Sequence, residues 1–216
     1  TITGCTNDLA TTSIWYGIYN TGAPATLNIN NNTFSSNVTK HTSGTVSLIY
    51  NTGAITTALS ISNNNLSHGF NAAVAQTGTF YGIRNTGAAI TANAVMSNNV
   101  WANFSFTTLS STTAYFFYNT GGFNTNNTNN NTWNNITWNN TGTIYGFYIT
   151  GVTQSVFNFN NNSITTGFTR LGAAGSMYTM YFLGSSLGTC IHTVSNNNFS
   201  NITAATAGTS GDSGTS

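Results

Sequence analysis

The chain has 216 residues, of which three are Lys or Arg and two are Asp or Glu, so 2% are charged where a soluble domain ordinarily carries about 25%. Hydrophobic residues make up 39% and aromatic residues 13%, enough to bury a sizeable core and to exclude a disordered tail. A formal net charge of +1 gives no basic footprint for phosphates, which excludes nucleic-acid binding, and no run of about 18 apolar residues is present to span a membrane as a helix.

Residues 1–13 read as an N-terminal strand or partial coil. From residue 14 onward the chain repeats itself. The segment Tyr16-Gly17-Ile18-Tyr19-Asn20-Thr21-Gly22 returns at Ser47 to Gly53, Tyr81 to Gly87, Tyr115 to Gly121, Tyr145 to Gly151 and, in worn form, from Tyr181. A second block follows each first one: Ile29-Asn30-Asn31-Asn32-Thr33-Phe34, then equivalents opening at Ile61, Met96, Thr128, Phe159 and Val194. Another apolar residue comes shortly after each (Val38, Phe70, Phe104, Ile136, Phe168, Ile202), so one copy reads as strand, Asn turn, strand. The period is about 33 residues, within the range of repeat architectures. Six copies occupy residues 14–203, and 204–216 form a Gly/Ser/Thr-rich tail or linker.

No window sustains a 3.6-residue apolar period, while β-branched and aromatic residues alternate with small polar ones, which predicts strands and almost no helix. The hairpin signatures Asn-Gly and Asp-Gly never occur in a chain so rich in Asn and Gly, which argues against neighbouring antiparallel hairpins. In a parallel solenoid each residue sits about 4.8 Å above its counterpart in the preceding coil, so like residues form ladders. Asn tolerates the left-handed bend, and its amide can donate to one coil while accepting from another. Asn31, Asn63, Asn98, Asn130, Asn161 and Asn196 are therefore expected to form an Asn ladder, flanked by Asn32, Asn64, Asn99, Asn131, Asn162 and Asn197. Gly22, Gly53, Gly87, Gly121 and Gly151 are expected at a second bend with positive φ. Strand parity turns Ile18, Ile49, Ile83, Phe117, Phe147 and Leu183 inward and places Tyr19, Tyr50, Arg84, Tyr118 and Tyr148 in one outward column, with the Arg84 guanidinium between two rings.

The apolar-Asn-Asn-x-apolar block beside a Tyr-Gly-Ile-x-Asn-Thr-Gly strand resembles the right-handed parallel β-helix repeats of very large secreted surface proteins, especially those of Bacteroidetes. The resemblance implies an all-β right-handed parallel β-helix (β-solenoid) of about six coils, an extracellular or cell-surface location, and a structural or adhesive role. It implies no catalytic residue.

Parallel β-helices also serve polysaccharide lyases and hydrolases, so the residues must decide on catalysis. Glycoside hydrolysis needs two carboxyl groups about 5–9.5 Å apart, and the only acids, Asp8 and Asp212, flank opposite ends of the array. No acid accompanies Arg84 or Arg170 in a coil, as a lyase-type site would require. His41, His68 and His192 occupy non-equivalent places and have no ligand-type neighbours in sequence, so no metal and no cofactor is expected. Cys5 and Cys190 lie too far apart in the stack for a disulfide. Sequons such as Asn37, Asn65, Asn103, Asn135 and Asn201 are no more frequent than chance allows in so Ser/Thr-rich a chain.

The expectation is a non-enzymatic extracellular structural or adhesive solenoid, a segment of a longer surface protein or a fibre-forming subunit whose partners are itself or neighbouring repeats. A glycan-binding module using the outward Tyr column is the alternative. Ice binding is a lesser one, because Thr-x-Thr recurs at Thr1, Thr77 and Thr141 but not at one fixed place per coil.

Overall fold

The computed structural model describes residues 1–7, 12–40, 42–67, 71–72, 74–87, 89–172, 174–184 and 189–204. Asp8, His41, His68, Phe70, Asp212 and the 205–216 part of the expected tail lie outside them. Among the described residues there is no helix, and the strands pair in parallel with the coils before and after, as the missing hairpin turns require. The result is a β-solenoid of about six coils.

Each coil has four faces. The first carries the longest strands, Trp15–Asn20, Thr45–Asn51, Thr79–Asn85, Thr113–Asn119, Ile144–Ile149 and Met177–Phe182, stacked in that order. The second is another six-stranded sheet, from Thr26–Asn28 through Ala58–Ser60, Asn93–Val95, Phe123–Asn127 and Thr153–Asn160 to Ile191–Ser195. Shorter strands build the third and fourth faces, and Ile2–Thr3 and Thr6–Asn7 add a leading half-turn by pairing with Phe34–Ser35 and Val38–Thr39.

The core is a set of columns. Ile49, Ile83, Phe117 and Phe147 stack in register and are fully buried. Leu183, expected to end this column, is 67% exposed, and Met180 takes its place over Phe147. The sixth copy begins three residues earlier than its sequence suggests, with Tyr178 over Tyr145 and Tyr181 over Tyr148. A copy that carries Tyr at both positions can be aligned either way by eye. Beneath the third face Trp101 stacks on Trp133 at 5.1 Å and 9°, and beneath the fourth Phe106 stacks on Trp138 at 3.8 Å. Such rings contribute burial and about 0.5–1.5 kcal/mol per pair beyond it.

Two consecutive first-face residues turn inward in each coil. The earlier of the pair alternates along the stack: Gly17, Leu48, Gly82, Phe116, Gly146, Thr179. Leu48 and Phe116 are fully buried, and the glycines between them leave room for what lies beneath. A Cβ on Gly82 would sit 2.3 Å from Trp101 Nε1 and 2.5 Å from the Phe116 carbonyl oxygen.

The asparagines divide the two tasks expected of one column. Asn31, Asn63, Asn98, Asn130, Asn161 and Asn196 all take the left-handed conformation, with φ between 56° and 59°, and their side chains are exposed. The amide ladder runs one residue further on. Asn32 Nδ2 donates to Asn64 Oδ1, Asn64 to Asn99, Asn99 to Asn131, Asn131 to Asn162 and Asn162 to Asn197, at 3.0–3.1 Å. From Asn64 onward each Nδ2 also donates to a backbone carbonyl of the preceding coil, as in Asn99 to Ile61. The physical reason is direction: the left-handed residue turns the chain with its side chain toward solvent, and the next residue points in, where an amide must find partners. A second amide ladder, Asn20 to Asn51 to Asn85 to Asn119, runs where the first face meets the second, at 2.7–2.8 Å. It stops where Ile149 stacks on Asn119, leaving Asn119 Nδ2 without a partner.

The expectation for the glycines of that corner is corrected. Gly22, Gly53, Gly87, Gly121 and Gly151 are not among the positive-φ residues. Close approach of adjacent coils explains at least three of them, since a Cβ on Gly53 would fall 1.7 Å from the Gly22 oxygen, one on Gly151 2.0 Å from the Gly121 oxygen, and one on Gly87 2.3 Å from Thr52.

Candidate functional site

Strict alternation would put residues three apart, such as Tyr16 and Tyr19, on opposite sides of a strand. The inward pair between them breaks that parity. Leu48 with Ile49 and Phe116 with Phe117 are all fully buried, so the residues before and after each pair both face outward. As a result all ten tyrosines of the chain lie on the first face.

They form two columns. The expected one runs Tyr19, Tyr50, Arg84, Tyr118, Tyr148 and is extended by Tyr181. Tyr19 stacks on Tyr50 at 5.1 Å and 17°, Tyr118 on Tyr148 at 5.1 Å and 2°, and Tyr148 on Tyr181 at 5.0 Å and 2°. The column missed in the sequence holds Tyr16, Ser47, Tyr81, Tyr115, Tyr145 and Tyr178, with Tyr81, Tyr115, Tyr145 and Tyr178 stacked at 4.8–5.1 Å. The columns meet edge to face, as between Tyr115 and Tyr118 at 4.9 Å and 76°. The recurrence of Tyr at the first place of every block but the second is the signal for this second column.

Stacking along the axis decides what the face can offer. Tyr115, Tyr145 and Tyr148, inside the stacked runs, have their flat sides against the rings above and below, so what they turn to solvent is ring edge and hydroxyl. Burial pushes the phenols of Tyr16, Tyr81, Tyr115, Tyr145 and Tyr148 above their ordinary range, neighbouring phenols add to the effect, and the Arg84 cation partly opposes it at Tyr16 and Tyr81. At neutral pH these hydroxyls are therefore uncharged donors and acceptors.

Arg84 is the one cation on this face. Its guanidinium carbon lies 4.1 Å from the Tyr50 ring centre and 4.4 Å from that of Tyr81, close enough for cation–π attraction. The other arginine is used differently: Arg170 is buried, with Nε and Nη2 donating to the Asn140 carbonyl and Nη1 to that of Gly175.

Among the described residues no cluster of His, Cys, Asp or Glu could hold a metal ion. His192 lies at the end of the stack, its ring 5.4 Å from that of Phe157. Cys5 and Cys190 are both free thiols. No protein-family model, curated protein or solved structure matches the chain.

Proposed function

We propose that the chain is a non-catalytic extracellular structural or adhesive β-solenoid, a segment of a longer surface protein or a fibre-forming subunit of the kind its resemblance to Bacteroidetes β-helix repeats implies. The observation that supports this most is the state of the sixth coil. Phe182 stacks on buried Ile149, and Val194 on buried Phe159, so both hold core positions. Yet they are 39% and 49% exposed, and they line an apolar groove with Ile149, Phe157 and His192. Among the described residues the strands Met177–Phe182 and Ile191–Ser195 pair on one side alone. A further coil would cover the core and extend every ladder, and the near absence of charge leaves little repulsion to oppose it.

A glycan stacking flat on the Tyr column loses support, because it needs ring faces that neighbouring rings occupy along most of the column. No observation favours ice binding. Sedimentation velocity on the wild type and on Val194→Lys tests the self-associating form: the wild type should grow with concentration and the variant should remain monomeric with unchanged β-sheet content. A wild type that stays monomeric at high concentration would overturn it. Antibody labelling of intact cells tests the extracellular location, and labelling confined to lysed cells would refute that part.

A further inference from the structure

We propose that Arg84 and its surroundings form a binding site for the carboxylate or sulfate group of an acidic saccharide. The inference does not rest on end-to-end assembly, since it concerns the lateral Tyr face and not the sixth coil.

Three observations converge on it. First, the cation has no counter-ion among the described residues. The only acids of the chain are Asp8 and Asp212, so no carboxylate occurs among the described residues, and a guanidinium held between two rings is left for an external anion. Second, the residues around it leave hydrogen-bonding capacity unused. Arg84 Nε is buried with no hydrogen-bond partner, and so is the Oγ of Ser47, a residue with no exposed surface. A buried polar group left without a hydrogen bond is unfavourable. Third, Ser47 interrupts a pattern. It stands in register with Tyr16 and Tyr81, and Ser47 and Arg84 hold the places that Tyr81 and Tyr118, then Tyr115 and Tyr148, hold in the next coils, ring against ring at 5.1 and 5.3 Å. In the second coil no ring stands at this place, and the covered Ser47 side chain lies beside the one cation of the face.

Arginine is suited to this task, because its planar fork recognises a carboxylate or sulfate through paired hydrogen bonds and stays charged at any ordinary pH. Stacking on Tyr50 and Tyr81 fixes the plane of the fork, which reduces the ordering entropy lost on binding. The edges of the two columns continue away from Arg84 along the axis as rows of neutral phenol hydroxyls, which can exchange hydrogen bonds with sugar hydroxyls. An extended chain of neutral hydroxyls bearing one acidic group fits this surface better than a small bare anion does.

The probes are a glucuronate-containing tetrasaccharide, the same tetrasaccharide with its carboxyls reduced to alcohols, and inorganic sulfate, each titrated while following tyrosine fluorescence and the arginine Nε–H resonances. Wild type should bind the acidic tetrasaccharide at least about tenfold more tightly than the reduced one and than sulfate, with affinity falling as salt rises. Arg84→Gln should lose that preference. Ser47→Tyr, which restores the repeat and sets a ring beside the Arg84 guanidinium without removing the charge, should weaken binding as well. Both variants should keep the wild-type circular dichroism spectrum. Equal affinity for the acidic and reduced tetrasaccharides, or an unchanged preference in Arg84→Gln, would overturn the proposal. Sulfate bound as tightly as the acidic tetrasaccharide would overturn the saccharide assignment, showing an anion site alone.

Discussion

Replacing Asn99 by Gly removes a residue at the centre of the amide ladder, and replacing its neighbour Asn98 by Gly removes one from the bend beside it. The two substitutions should differ greatly. Asn99 has no exposed surface; its Nδ2 donates to Ile61 O at 2.9 Å and Asn131 Oδ1 at 3.1 Å, and its Oδ1 accepts from Asn64 N at 3.1 Å and Asn64 Nδ2 at 3.0 Å. Losing the side chain breaks four bonds and orphans two buried donors on Asn64. At about 1–3 kcal/mol per orphaned donor, plus a smaller loss for the two bonds Asn99 itself donates, the cost is roughly 4 kcal/mol. For a chain of this size that is a fall in Tm of about 8–16 °C. Asn98, by contrast, is exposed and sits at φ 58°, a conformation Gly adopts without strain, so its replacement should change stability by less than about 1 kcal/mol. The assay is equilibrium denaturation followed by Trp fluorescence, since Trp101 and Trp133 stack two and three residues after these bends and report on the central coils directly. Nearest-neighbour coils need not unfold as one unit, so the local probe is preferable to a global one. Equal effects of the two substitutions, or a larger one at Asn98, would refute the assignment of the ladder to the Asn99 column.

Gly82→Ala should destabilise by roughly 2–4 kcal/mol, because the new methyl meets the Trp101 ring and the Phe116 carbonyl in a core with no room to relax; Gly22→Ala, whose nearest neighbours would lie 3.6 and 4.0 Å away, should stay within about 0.5 kcal/mol in the same denaturation experiment. Tyr118→Ala should cost about 2 kcal/mol, since it removes the stack on Tyr148 and edge contacts with Tyr81 and Tyr115, each worth about 0.5–1.5 kcal/mol; an unchanged midpoint would show that the tyrosine columns contribute nothing to stability. The pH dependence follows from proton linkage. The phenols of Tyr16, Tyr81, Tyr115, Tyr145 and Tyr148 titrate higher in the folded than in the unfolded chain, so the folded state binds more protons above the ordinary phenol value of about 10. Their contribution is complete below that pH and is lost as pH rises through the folded values. With only two acidic side chains there is little to drive acid unfolding, so melting temperature should be nearly flat from acid to about pH 9 and fall in alkali. A marked transition near pH 4 would contradict this.

The periodic features of the chain were legible because stacking makes every coil solve the same problem. The six copies, the left-handed Asn column and the inward Ile/Phe column all repeat in the sequence at a spacing of about 33 residues. What escaped was set by contacts between coils. The amide ladder lies at Asn32 to Asn197 because side-chain direction, and not Asn frequency, determines which amide meets its counterpart. The second tyrosine column was hidden by the inward pairs such as Phe116 and Phe117, which shift parity by one residue and are invisible to strict alternation. The glycines of the second bend follow from how closely one backbone passes over another, a distance no single copy encodes. Leu183 was misplaced because the last copy keeps the tyrosines but replaces the glycine and isoleucine between them by Thr179 and Met180.

The most direct test of the whole account is electron microscopy with fibre diffraction on native material and on the purified chain. The account predicts fibres with an axial layer spacing near 4.8 Å, continuing well beyond the roughly 30 Å that six coils occupy. Dispersed rods of about that length, in native material and purified chain alike, would contradict it.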